Sequence, residues 1–398
     1  MTGIAHYLYH KTQSHSDYGN LMRALKIILI LCTLTTFILC QSQNSIPYLH
    51  LIDEENPSFI IGEGDIHDPT ARLYKYIIQY YVDVNGNIYI ENIQERAIDK
   101  YDNKGNYLFS FGKKGQGPGE FPFGIPPFAA NSKGFLYVGS LNKKIMIFNP
   151  DGTYRDEVNF PEELKYHFLA KIKIDYADRI YVLSYSTKDK EITVSRFGSD
   201  LNNYKIINNA EARPPTAIGT HGDRPDFDFD QHNNLYLTDN YDYTIYVYSP
   251  QGQLLRTFTQ KFKKKKIIPE DFIHLNEKGE ISELSGTDEV LKGLEDKDRF
   301  WPAVFGIDIL EDDIYVWTSH QDKEGKFIID IYDKNFNKKA KSSFYNHIRF
   351  KVAQIQKNKL YTLNIGSDDK ELKKKVGLIS GYNTPCELLV YPLMPIDR

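Results

Sequence analysis

One tyrosine recurs six times along the chain, each time in the same local pattern. A polar turn is followed by an apolar residue, the tyrosine and usually an aliphatic residue, as in "VDVNGNIYI" and "DILEDDIYV". The tyrosines are 48, 44, 55, 79 and 46 residues apart: Tyr89, Tyr137, Tyr181, Tyr236, Tyr315 and Tyr361. Strand-like units at a period in the forties predict an array of small β-sheets.

Each unit contains the pattern of a four-stranded sheet. An alternating apolar segment precedes the turn, the tyrosine strand follows, and third and fourth strands such as "KKIMIFN" and "LLRTFT" complete the unit. Four strands per unit predict an all-β fold, a six-bladed β-propeller of antiparallel blades with one insertion near 262–300. We expect "IPYLHLID" (46–53) to supply the last blade's missing strand and so close the ring.

The glycine-rich stretch "FGKKGQGPGEF" (111–121) has three interpretations: a phosphate-binding loop, a disordered linker or a connector between blades. It lacks the spacing of a phosphate-binding loop, and no helix pattern follows it. It lies between the outer strand of blade one and the inner strand of blade two. We therefore predict a polar connector with glycines at positive φ.

The N-terminus has the pattern of an export signal. Residues 22–40 carry a short basic region and then an apolar run from Ile27 to Cys40, which is short for a membrane span. An uncleaved membrane anchor is the alternative interpretation. We expect residues 1–21 to be a non-structural extension, 22–40 a signal peptide and 41–398 the propeller. Cys40 lies where a bacterial lipoprotein carries its lipid, which makes a lipid anchor an alternative to plain secretion.

Charge and cysteine content exclude several classes of protein. Removing residues 1–40 lowers the net charge from −4 to −6, which disfavours nucleic acid as a partner. Cys386 is the only cysteine after residue 40, so the exported chain has no intrachain disulfide and no cysteine-based zinc site. We expect a monomer.

The glycine-rich connector together with the repeated Asp/Asn-x-x-Gly-x-x-Tyr pattern resembles the NHL-repeat six-bladed propellers. It is most similar to the secreted or lipid-anchored propellers of Bacteroidetes-type bacteria. The resemblance covers about residues 45–395, although the later blades lose the "PGEF" connector. It implies the fold and an extracytoplasmic location.

The polar residue six positions before the tyrosine is predicted to hold its own turn. Its side chain would accept backbone N–H groups in blades one to four, where it is Asp83, Asn131, Asp175 and Asp230. In blades five and six the position is Ile309 and Ile355.

Three histidines occupy near-equivalent places at the start of three blades: His167, His221 and His347. Three imidazoles with an open fourth position form a catalytic type of zinc site. The lyase of the peptide-amidating enzyme, a related NHL propeller, also holds a metal with histidines of different blades. Histidines bonded to backbone or lining a wet channel are the alternative.

The segment "GTHGDRPDFDFDQ" is the richest in charge. Asp226, Asp228 and Asp230 alternate and share one strand face, where they repel unless a cation lies between them. Calcium is one such cation. A salt bridge to Arg224 or a solvated channel wall is the alternative.

The remaining candidates for ligand contact lie where the inner strands begin: Trp301, Arg224, Asp223, Lys75 and Phe123. An aromatic side chain at a channel mouth is a usual ligand platform, and core packing of Trp301 is the alternative. We predict an exported, non-catalytic module that binds a protein, peptide or glycan at its axial face. The alternative is a metal-dependent lyase or hydrolase.

Overall fold

The computed structural model describes residues 46–62, 72–74, 77–122, 124–139, 144–186, 188–211, 225–239, 241–266, 274–275, 281–282, 300–344, 353–365 and 386–395. The chain divides into a short unit, Met1–Pro47, and a compact unit, Tyr48–Arg398, which contains the sheets. Within the described ranges, the only helix is a single 3-10 turn, Glu162–Leu164. None of the described segments forms a helix long and apolar enough to cross a membrane.

Six four-stranded antiparallel sheets form the six blades, which confirms the predicted fold class. In blades one to five the four strands follow one another along the chain from the inner strand to the outer strand. Blade one comprises Tyr80–Val82, Ile88–Asn92, Ala97–Tyr101 and Tyr107–Phe111; blade two Phe128–Ala130, Leu136–Gly139, Lys144–Phe148 and Tyr154–Asn159; blade three His167–Ile174, Ile180–Ser186, Glu191–Phe197 and Lys205–Glu211.

The second half of the chain repeats this order. Blade four comprises Phe227–Phe229, Leu235–Asp239, Thr244–Tyr248 and Leu254–Thr259; blade five Val304–Leu310, Asp313–Gln321, Phe327–Asp333 and Lys338–Phe344; blade six Ala353–Gln356, Lys359–Ile365, Cys386–Pro392 and Phe59–Ile61. The insertion between blades four and five contains a short hairpin of His274–Leu275 with Ile281–Ser282.

An N-terminal strand closes the ring, as predicted, but it is not the expected segment. Phe59–Ile61 pairs antiparallel with Cys386–Pro392 and completes blade six. Within the predicted segment 46–53, Tyr48 and Leu49 lie instead beside the outer strand of blade five, where the backbone N–H of Leu49 donates to the carbonyl of Lys341 at 2.8 Å. Both 46–53 and Phe59–Ile61 are apolar, so their composition does not show which of them completes blade six. The choice depends on pairing with a strand more than 300 residues away.

The repeated tyrosine packs against the next blade. Each of the six buried apolar clusters joins two neighbouring blades and contains one repeat tyrosine. Tyr181 of blade three, for example, lies in a cluster with Phe229 of blade four, with ring centroids 4.6 Å apart. The period in the sequence is therefore the period of the interfaces between blades.

The glycine-rich stretch is a connector, as predicted. Lys113–Lys114 pairs in parallel with Glu120–Phe121, which folds the stretch into a compact loop before blade two. Gly112 and Gly119 have φ of 67° and 74°. A Cβ on Gly119 would lie 2.7 Å from the Cβ of Tyr154, so both conformation and space require glycine there.

Candidate functional site

Lysines of blade three and aspartates of blade four form ion pairs along the channel axis. Lys171 pairs with Asp226, and the Nζ of Lys173 lies 3.3 Å from an Oδ of Asp228. All four side chains belong to or directly precede inner strands, where residues two apart share a face. The pairs therefore link neighbouring blades close to the axis.

The same two aspartates also bind blade five. The second carboxylate oxygen of Asp226 accepts the backbone N–H of Ile307 at 3.1 Å, and that of Asp228 accepts Ile309 at 2.8 Å. One blade further on, Asp308 accepts the backbone N–H of Ile355 of blade six at 3.0 Å. Each aspartate thus fixes its blade against the next one around the ring.

Lys173 remains charged in this setting. Burial opposes the charge, but the carboxylates of Asp228, Asp226 and Asp308 outweigh it and raise the pKa of Lys173. A lysine with a raised pKa donates hydrogen bonds and holds anions at neutral pH, but it does not readily give up its proton.

The alternation of Asp226 and Asp228 on one face is confirmed, and a cation lies beside each carboxylate as the repulsion between them requires. The cations are the lysines of blade three; Arg224 lies outside the described residues. Asp230 does not join the pair, because its carboxylate accepts the backbone N–H groups of His232 and Asn234 in its own turn. A calcium ion here would have to compete with lysine and backbone donors.

The predicted turn role of the repeated Asp or Asn is confirmed in all four blades. Asp83, for example, accepts the backbone N–H groups of Asn85 and Asn87 at 2.8 and 2.9 Å. Matching pairs of bonds are formed by Asn131, Asp175 and Asp230. These residues are structural.

His167 begins the inner strand of blade three and is buried. Its Nδ1 lies 3.0 Å from the Oγ of Ser184 on the neighbouring strand. His221 and His347 lie outside the described residues. Among the residues that are described, no group of three or more His, Cys, Asp or Glu side chains is arranged to hold a metal ion. The three-histidine site therefore stays a prediction.

Trp301 is buried, with 2% of its surface exposed. Its backbone N–H donates to the carbonyl of Lys265, which anchors the segment before blade five. The ring is therefore covered in this structure, as the core-packing alternative expects, and a ligand contact at Trp301 stays a prediction. Lys75, Phe123, Asp223 and Arg224 lie outside the described residues.

Blade three carries exposed aromatic side chains at its entry end, the end of the sheet where the inner strand begins. Phe168 is 46% exposed, and its ring stacks on that of Tyr185 with centroids 5.5 Å apart and planes 29° apart. Tyr166 is equally exposed, with the Nζ of Lys188 4.0 Å from its ring centroid. Sequence analysis missed these residues, although "YHF" is an unusual start for an inner strand.

Glu91 is a second residue that sequence analysis missed. It is buried near the same end of blade one, in the strand Ile88–Asn92, and accepts a hydrogen bond from the backbone of Ile125. Burial raises the pKa of Glu91 to about 7. The signal in the sequence was a single carboxylate directly after the apolar residues "IYI".

Six four-stranded blades, of which the last is completed by an N-terminal strand, define a six-bladed β-propeller. Residues 76–372 match the DUF5128 family, described as a 6-bladed beta-propeller, and the chain belongs to that family. No functionally curated protein matches it.

Two solved structures from Bacteroides share the fold. A Bacteroides fragilis protein whose name describes it as exported is 14% identical, with a TM-score of 0.50 over 87% of this chain and 98% of that one. A DUF4221 family member from Bacteroides vulgatus is also 14% identical, with a TM-score of 0.50 over 88% and 98%. At this identity the likeness shows the fold.

Proposed function

We propose that this protein is an exported, non-catalytic binding module that recognises a protein, peptide or glycan at the entry end of its axial channel. The observation that carries the proposal is the exposed Phe168, whose ring stacks on the half-buried ring of Tyr185. Exposed aromatic rings that cluster mark contact surfaces, and they offer broad surfaces for little loss of conformational entropy.

The scaffold beneath these rings supports binding. The pairs of Lys171 and Lys173 with Asp226 and Asp228 tie blade three to blade four, and the same two aspartates accept backbone N–H groups of blade five. A side chain that is already held in place loses less entropy when a ligand arrives. Lys173 is held charged, which favours electrostatic recognition over proton transfer.

Export is part of the proposal and rests on the basic and apolar pattern of residues 22–40. The affinity to NHL-repeat propellers stays an interpretation of the connector and the turn pattern. Attachment through a lipid on Cys40 and a monomeric state remain predictions.

Glycan and peptide arrays test the proposal. We expect the wild-type protein to bind a defined subset of one array and Phe168→Ser to lose those signals. Leu255→Ser is the matched control, because Leu255 is 53% exposed on the outer strand of blade four, away from the entry end. Signals that persist in Phe168→Ser would contradict the assignment of this surface.

A metal-dependent lyase or hydrolase is the second candidate, favoured by the contact between His167 and Ser184. A hydroxyl that accepts the Nδ1 proton would fix the ring and make Nε2 the metal ligand, as in many metal sites. Metal analysis of the purified protein by mass spectrometry tests this candidate. Stoichiometric zinc that is lost in His167→Ala would support it, and protein without metal would reject it.

A further inference from the structure

A cavity of about 510 Å³ opens between blades three and four at the hairpin end, opposite to the entry end. Two arginines and a loop of blade three, together with the turn of blade four, line it: Arg179, Arg196, Gly198, Asn203, Pro250 and Gln251. The cavity is separate from the axial network and from the exposed aromatic rings.

Arg179 brings more hydrogen-bond donors than its turn requires. In blades one and four an asparagine occupies this position, and Asn87 and Asn234 each donate to the turn aspartate at 2.8 Å. In blade three the Nε of Arg179 makes the same bond to Asp175 at 2.7 Å. Arg179 also lines the cavity, and its guanidinium carries two Nη groups beyond the Nε that bonds the turn.

Arg196 replaces an aliphatic residue. It lies directly opposite the repeat tyrosine Tyr181, a position that is aliphatic in four of the other blades and a lysine in blade one: Ile147, Val247, Ile331, Val390 and Lys100. Arg196 donates to the carbonyl of Pro250. Among the described residues, no carboxylate forms an ion pair with it.

The charge around the cavity is positive. Lys205 adds a third cation, with its Nζ donating to the carbonyl of Gln251 at 2.7 Å. The opposing carboxylates are Asp175, which is buried in its own turn, and Asp200, which accepts donors from Asn202. Both guanidiniums also lie close enough to the phenol of Tyr181 to oppose the rise of its pKa, which burial brings to about 12.

We propose that this cavity binds an oxyanion, the carboxylate or phosphate group of a small molecule. Two guanidiniums that converge on one cavity provide planar, charge-assisted donors that match two oxygens of such a group. This site is independent of the ligand proposed for the entry end, and either proposal can fail without the other.

Calorimetric titration of the purified protein with inorganic phosphate and with acetate, at constant ionic strength in sodium chloride, tests the site. We expect saturable binding at one site for at least one of the two anions, and the anion that binds identifies the group. Arg179→Asn and Arg196→Val should each weaken binding at least about tenfold, since each removes a charge-assisted bond. Arg256→Gln, on the outer strand of blade four, should leave the affinity unchanged.

Both substitutions copy residues that the other blades carry at the same position, so the turn and the interface are expected to form. If Arg196→Val lowers the melting temperature, Arg179→Asn decides alone, because asparagine keeps the bond to the turn aspartate. Absence of saturable binding to either anion would overturn the proposal. Binding that both variants retain at full strength would overturn it as well.

Discussion

The ammonium of Lys173 lies 3.3 Å from a carboxylate oxygen of Asp228, one blade away. Lys173 is 12% exposed, and the other oxygen of Asp228 holds the backbone of a third blade. This single pair therefore joins three inner strands. The charged residues near the axis thus link neighbouring blades.

Neutralising Asp228 tests that role. Asp228→Asn keeps an acceptor for Ile309 but removes the charge beside Lys173, and we expect it to lower the free energy of unfolding by about 2–4 kcal/mol. Combined with Lys173→Met, the loss should be smaller than the sum of the two single losses by at least about 1 kcal/mol. Urea denaturation of the four proteins measures this coupling. Additive losses would show that the pair is not coupled.

The repeat tyrosines should be the strongest single determinants of stability. Tyr181 is 1% exposed between blades three and four, so Tyr181→Ala is expected to cost about 3–5 kcal/mol. Tyr166, which is 46% exposed, is the control and should cost less than about 1 kcal/mol as alanine. Equal costs in urea denaturation would contradict the packing of the repeat tyrosine against the next blade.

Two glycines in or near the connector differ in whether their position requires glycine. Gly119→Ala should destabilise by about 1–3 kcal/mol, because φ is 74° and the added Cβ would meet Tyr154. Gly124→Ala should change stability by less than about 0.5 kcal/mol, since nothing lies within 4 Å of its added Cβ. The fluorescence of the buried Trp301 and Trp317 reports unfolding of both variants. An unchanged free energy of unfolding in Gly119→Ala would contradict the requirement for glycine at this position.

Glu91 should make stability depend on pH. Its pKa of about 7 in the folded protein lies above the usual 4.5, so the folded state holds the proton more tightly. The protonated Glu91 therefore contributes about 2–4 kcal/mol to the free energy of unfolding. This stabilisation is complete below pH 4.5 and is lost as the pH rises through 7. Glu91→Gln keeps an acceptor for Ile125 without titrating. Its melting temperature should fall less than that of the wild type between pH 5 and 8; parallel curves would contradict the raised pKa.

The sequence predicts the fold because the signal is local and repeated. Each repeat tyrosine occupies the same place in its strand and packs against the next blade, and each turn Asp or Asn accepts the backbone N–H groups two and four residues later. The strand that closes the ring was misplaced, because the choice between 46–53 and Phe59–Ile61 depends on pairing with Cys386–Pro392 at the other end of the chain.

The candidate sites were only partly predictable for the same reason. The alternating Asp226 and Asp228 were visible, but their lysine partners lie about 55 residues earlier, on another blade. Arg179 and Arg196 are ordinary in isolation and become unusual only when the blades are aligned by strand register. Phe168 and Tyr185 become a surface only when their strands pair.

The most direct test of the central claim is the affinity for the strongest array ligand, measured by biolayer interferometry. The wild type is compared with Phe168→Ser and with Leu255→Ser. We predict that Phe168→Ser weakens the affinity at least about tenfold, as expected for a contact at the centre of an interface, whereas Leu255→Ser changes it less than about twofold. An affinity unchanged in Phe168→Ser would contradict recognition at the entry end of blade three.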